Sequence, residues 1–160
     1  MYTAVQLLCA LLFVSGFNMG VRADSQHDVI PAPSASPCAL VVHAVGFRSE
    51  KGGAGGAVFS SSDGWPEDLA KAYRHGDFPI RDGKSTLTFS MAPGKYGIVV
   101  IHDENINHKM DRNFLGLPKE GYGFANNPHV GLTAPSIRQA SVQVTCPLTE
   151  TTVRIHYWGK

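Results

Sequence analysis

The chain has 160 residues, with 14 Lys and Arg against 13 Asp and Glu. Setting aside an apolar leader of 23 residues leaves 137, enough for one domain with a real core and too few for two ordinary ones. Arg22 is the only charged residue of that leader, so the remainder balances 13 against 13, which excludes a dedicated nucleic-acid binder or a polybasic membrane-surface protein. With 17 Gly, 10 Pro and only 17% charged residues, the composition fits a turn-rich β domain better than a helical bundle or a disordered chain.

Leu7 to Phe17 is an apolar run of signal-peptide length, followed by small residues at Val21 and Ala23 where a signal peptidase cuts. Residues 1–23 therefore read as a signal peptide, with export to the periplasm or the medium expected. The segment before the run carries only the α-amino charge, which keeps an uncleaved anchor as the alternative. No later run approaches the roughly 20 apolar residues of a membrane span, so none is expected once the leader is removed. Cys9 departs with the leader. Cys38 and Cys146 remain, and an even pair in an oxidising compartment reads as a disulfide, closing a loop of roughly a hundred residues. Two isolated cysteines do not make a zinc site.

Asp24 to Pro37 is Pro-, Ser- and Ala-rich and reads as a flexible arm, which leaves residues 38–160 as a single domain. Ala39–Phe47 is β-branched and apolar, a first strand, and Gly55–Ser60 a second. The glycines from Gly52 to Gly56 fit no phosphate-binding pattern and read as a flexible hairpin connection. Pro66 to Arg74 carries acids near its start, basic residues near its end and a stop at His75-Gly76, which predicts one short helix. Leu69, Ala72 and Tyr73 would face the sheet from it, with Trp65 stapling its start to the core. Phe78–Arg81, Thr86–Ser90, Tyr96–His102, Ser136–Val144 and Thr151–Tyr157 complete about seven strands. The fold expected is all-β, a two-sheet antiparallel sandwich of the transthyretin-like or immunoglobulin-like kind.

Between two good strands, residues 103–135 form a stretch too long for an ordinary connection and too apolar for disorder. Phe114, Leu115, Leu117, Tyr122 and Phe124 predict that it folds back as a packed excursion. Its start places Asp103, Asn105, Asn107 and Asp111 at relative positions 1, 3, 5 and 9, with the Lys109 carbonyl at 7. Those are the liganding positions of an EF-hand loop, whose hard oxygens suit Ca²⁺. His108 stands where the sharp turn wants Gly, and Phe114 where a bidentate Glu belongs, so a weak site is expected. Glu104 or Glu120 substitutes for that Glu only if the fold brings it back. The competing reading has the Asp and Asn side chains capping their own turns. His102, His108 and His129 lie in or beside the stretch and are candidates for a transition-metal site, although histidines this scattered are commonly plain loop residues.

The run His102-Asp103-Glu104-Asn105, Asn107, Asp111, Asn113-Phe114-Leu115-Gly116, Pro118, Glu120-Gly121-Tyr122-Gly123-Phe124 and Asn126-Asn127 resembles the signature of a bacterial family, domain-of-unknown-function family 2141. The likeness extends over about Ala39 to Tyr157 and implies an exported single-domain β-sandwich with no established activity. His108 and Ala125 depart from the family pattern, which has Gly and Ser there.

Three functions are compatible with these residues. The first is an exported non-catalytic module with a weak Ca²⁺ loop. The second is a hydrolase or lyase acting through loop carboxylates and His102, for which no catalytic motif is present. The third is a surface on residues 113–127 for a protein, glycan or small molecule, which predicts an exposed Tyr122 and Phe124. An enzyme should hold its carboxylates in an open cleft, whereas a metal-binding or structural loop turns them inward.

Overall fold

The computed structural model describes residues 37–131 and 133–159; the signal-peptide segment, and all of the arm but Pro37, fall outside that range. Eight strands form two sheets: β1 (Cys38–Val45), β2 (Gly53–Phe59), β3 (Arg74–Phe78), β4 (Lys84–Met91), β5 (Gly94–Asp103), β6 (Gly121–Phe124), β7 (Ser141–Val144) and β8 (Leu148–Arg154). One sheet has the order β4-β1-β8 and the other β3-β2-β5-β6. β7 joins the second sheet by pairing with the first half of β5, on the edge whose second half takes β6. All pairs are antiparallel except β1 with β8, which is parallel, so the all-β sandwich is mixed in its smaller sheet.

Period-2 alternation builds the layer between the sheets. β1 buries Cys38, Leu40, Val42 and Ala44, and β4 buries Ser85, Leu87, Phe89 and Met91, while their intervening residues face away. From the second sheet, Ile98 and Val100 of β5 meet them in one apolar cluster. The other face of β5, with Val99 and Ile101, carries a second cluster with Phe59, Phe124, Trp65, Leu69 and Ile137. The larger sheet is thus covered on both faces, and β5 reads as a continuous apolar run. The bond between Cys38 and Cys146 spans 108 residues and ties the start of β1 to the turn between β7 and β8, with a Cα–Cα separation of 4.6 Å.

Three expectations are corrected. The helix over Pro66–Arg74 is a single 3-10 turn at Leu69–Lys71, because Ala72 is already extended and the Tyr73 N–H bonds to the Val58 carbonyl. Arg74, His75 and Gly76 consequently belong to β3. Leu69, Ala72 and Tyr73 do pack on the larger sheet, and Trp65 lies edge-on to Phe59 at 5.4 Å between ring centroids. Next, Gly53, Gly55 and Gly56 lie inside β2 and not in a hairpin turn. A Cβ on Gly56 would come within 2.2 Å of the Leu87 side chain of the facing sheet, so close approach of the sheets is what requires glycine there. Lastly, residues 103–135 are not strandless: Gly121-Tyr122-Gly123-Phe124 is the buried strand β6.

Candidate functional site

β5 ends at Asp103, and the chain turns back over the end of the larger sheet before re-entering it at β6. Two buried carboxylates organise this turn. Asp103 accepts the N–H of Asn107 at 3.1 Å on Oδ1 and that of His108 at 2.7 Å on Oδ2. Glu120, one residue before β6, accepts the N–H of Glu104 at 3.1 Å and that of Asp111 at 3.0 Å. Each buried carboxylate thus takes two backbone N–H groups, which supply the hydrogen bonds it loses from water. Glu120 bridges the two ends of the 104–111 segment, so the fold does bring this acid back to the loop.

Three of the predicted ligand side chains meet, and the fourth, Asp103, is joined to them through the Asn107 N–H. Asn105 Oδ1 accepts from Asn107 N at 3.2 Å, and Asn107 Oδ1 accepts from Lys109 N at 2.9 Å, two successive Asx turns. The side-chain amides of Asn105 and Asn107 donate to the two oxygens of Asp111 at 2.8 and 3.0 Å. Ile106 and His108 both take positive φ, 58° each. His108 therefore adopts the left-handed turn for which Gly is usual at that position, and its N–H bond to Asp103 holds it there. Phe114, at the position of the missing bidentate ligand, points into solvent.

Beside the loop lies a polar network centred on buried His102, two of whose partners, Arg48 and Tyr157, the sequence does not announce. His102 is fully buried, with Nε2 2.9 Å from the Lys51 carbonyl and Nδ1 2.7 Å from the Tyr157 hydroxyl. A carbonyl only accepts, so Nε2 carries the proton and the tyrosine donates to Nδ1. The same hydroxyl accepts the Arg48 N–H at 2.9 Å. Arg48 lies 4.6 Å over the Tyr157 ring and forms a two-pronged pair with Glu104, both contacts at 2.6 Å. That hydrogen bonding, reinforced by the guanidinium charge, holds the Glu104 carboxyl below its ordinary range and raises the Arg48 guanidinium. Burial pushes the Tyr157 phenol up. Arg48 and Tyr157 stand in no recognisable motif; only the tertiary fold brings them to His102.

The remaining candidates separate. Among the described residues, no group of three or more His, Cys, Asp or Glu gathers as a metal site, so His102, His108 and His129 do not form one. Tyr122 and Phe124 are buried in β6, with burial raising the Tyr122 phenol. Phe114 and Leu115, expected to pack, are instead 95% and 66% exposed. The asparagine that precedes them explains the reversal. Asn113 Oδ1 takes the N–H groups of both Leu115 and Leu117, closing a tight turn whose tip lies beyond reach of the core.

Fold and site define an all-β sandwich in which a polar loop, ordered by two buried carboxylates, caps the end of the larger sheet. Residues 42–152 match domain-of-unknown-function family 2141, described as an uncharacterized protein conserved in bacteria, and the chain belongs to that family. No curated protein and no solved structure matches the chain.

Proposed function

We propose that this protein is an exported, non-catalytic β-sandwich module whose 103–111 loop takes up Ca²⁺ with low affinity. The observation that supports the reading is that Asn105, Asn107 and Asp111 meet side chain to side chain, and Asp103 is tied to the same turn through the Asn107 N–H, with the sixth residue, His108, left-handed. The donor set is hard oxygen throughout, with Lys109 offering its main-chain carbonyl. Weakness has a physical source: the Asn105 and Asn107 amides now donate to both oxygens of Asp111, and a cation must displace them and turn their own oxygens toward it. Glu120 and Asp103 are each committed to two backbone N–H groups, so either one serves a cation only at the cost of those bonds. Both features favour the roughly 10⁻⁴–10⁻³ M regime of extracellular modules. Export is supported by the leader composition and by the Cys38–Cys146 bond, which is at home in an oxidising compartment.

The hydrolase or lyase reading has less to stand on, because both ring nitrogens of His102 are engaged, Asp103 and Glu120 are buried on backbone N–H groups, and Glu104 is paired with Arg48. The deciding experiment is a melting curve with EDTA and then with about 10 mM Ca²⁺. For a dissociation constant of about 0.1–1 mM, that concentration stabilises the native state by about 1.4–2.7 kcal/mol, a rise of several degrees. Asp103→Asn should abolish the rise. An unchanged midpoint for the unsubstituted protein sinks the Ca²⁺ assignment.

A further inference from the structure

The outer face of the larger sheet holds a cleft that the 103–111 loop borders on one side only. Its floor is the outward row of β2 and β5, and its walls come from β3, from the turn at Pro66–Leu69 and from His108–Met110. The register places Asp77 of β3 on one side of Gly55 and Ile101 of β5 on the other, so a position without a side chain lies between them. A Cβ on Gly55 would stand 3.0 Å from the Ile101 side chain and 3.6 Å from Asp77 Oδ1. Glycine there keeps the floor open, and the cleft measures about 250 Å³. All of its walls fall among the described residues.

We propose that this cleft binds a small primary amine with an apolar body, its ammonium group held on Asp77. The carboxylates around the cleft are not equivalent. Asp103 is buried with both oxygens on backbone N–H groups, and Glu67 is paired with Arg112. Asp77 accepts no hydrogen bond from any described residue. Its nearest partner is His108 Nδ1, 3.4 Å from Oδ2, while Oδ1 borders the space that Gly55 leaves. Charge selects the sign of the ligand. Three acids line the cleft against Lys109 alone, and Arg112 offsets one more of them, so the field there favours a cation. An ammonium group brings donors only, and an ionised carboxylate is their natural acceptor. Leu69, Val99, Ile101 and Met110 supply the apolar remainder, which a bare ion or a small polar cation would leave unused. The assignment does not rest on Ca²⁺ binding, and EDTA in the test keeps the two apart.

The test is an NMR titration of protein expressed from the full chain, in EDTA at neutral pH, with phenethylamine, 2-phenylethanol, ethylamine and phenylacetate. Phenethylamine is protonated there and should shift the Ile101 and Met110 signals saturably, with a dissociation constant of about 1 mM. Phenylethanol lacks the charge and ethylamine lacks the body, so each should bind at least about tenfold more weakly, and phenylacetate should not bind. Asp77→Asn keeps the shape of a half-exposed side chain. It should weaken phenethylamine about tenfold and leave phenylethanol unchanged, a split that general loosening of the fold does not produce. The absence of saturable shifts with phenethylamine up to about 20 mM overturns the proposal. So does equal binding of phenylacetate, or an Asp77→Asn protein that binds the amine unchanged. Nuclear Overhauser contacts from residues 24–36 to Ile101 or Met110 in the free protein would overturn it too and give the cleft to the chain's own arm.

Discussion

The layer between the sheets and the two carboxylates that anchor the turn over residues 103–120 are both buried, but they are held by opposite means. Between the sheets, Leu40, Val42, Leu87 and Ile98 exclude water through non-directional apolar contact. In the turn, Asp103 and Glu120 are almost as inaccessible, and each is held by directional bonds to two backbone N–H groups. An apolar layer tolerates loss of one contact by relaxing around it. A carboxylate that answers two donors has no nearby substitute, so its removal strands both at once. The two regions should therefore fail differently, and that difference is measurable.

The largest effect is expected where the apolar layer is stapled. Replacing Cys38 and Cys146 together by Ala frees a loop of 108 residues in the unfolded chain and should cost about 4–5 kcal/mol by the chain-entropy argument. Denaturant unfolding of the double variant checks this, and a loss under about 1 kcal/mol would mean that the sheets hold together without the staple. If the loop takes up Ca²⁺, the ion should add the same increment to the double variant as to the unsubstituted protein, because it binds the native state alone and the bond lies outside the loop.

Second in size is Glu120→Ala. It removes the acceptor of the part-buried Glu104 and Asp111 N–H groups, at about 1 kcal/mol each where water takes over part of the bond. A total of about 2 kcal/mol in equilibrium unfolding is expected. Amide exchange should quicken at residues 104–111 while β1 and β4 keep their protection relative to the global stability. Uniform loss across both regions would show that the turn and the apolar layer are one cooperative unit.

What was readable in the sequence follows the same division. β1 and β4 alternate strictly, and their place in a sandwich follows from period two alone. The Asx ladder was readable too, because Asn105 and Asn107 bond two residues onward and need no tertiary partner. Three kinds of residue stayed hidden. The glycines of β2 and β6 look like turns, since a sequence does not display the Leu87 side chain pressed on Gly56 or the Tyr157 ring pressed on Gly121. Arg74 and His75 look like a helix end until the Val58 carbonyl claims Tyr73 for the sheet. Arg48 and Tyr157 reach His102 from 54 and 55 residues away, so no local pattern could announce them. Phe114 and Leu115 misled in the other direction, because hydrophobicity gives the worth of burial but not whether a braced turn permits it.

The smallest effect probes the boundary between the regions, at the Arg48–Glu104 pair. Glu104 binds its proton less readily when folded than when unfolded, because Arg48 bonds to the ionised form. The pair therefore contributes stability that is fully present above the ordinary carboxylate range and is lost as pH falls through the lowered folded value. Glu104 is partly exposed and Arg48 more so, and solvent screens the pair, so its contribution should not exceed about 1 kcal/mol. Glu104→Gln should accordingly lower the melting temperature slightly at neutral pH, and the gap to the unsubstituted protein should close in acid, as pH falls below the ordinary carboxylate range and through the lowered folded value. High salt at neutral pH should narrow the same gap. A gap that persists unchanged in acid would mean that Glu104 acts through hydrogen-bond geometry and not through its charge. The His102–Tyr157–Arg48 network would then belong with the neutral packing of the sandwich and not with the carboxylate-held turn.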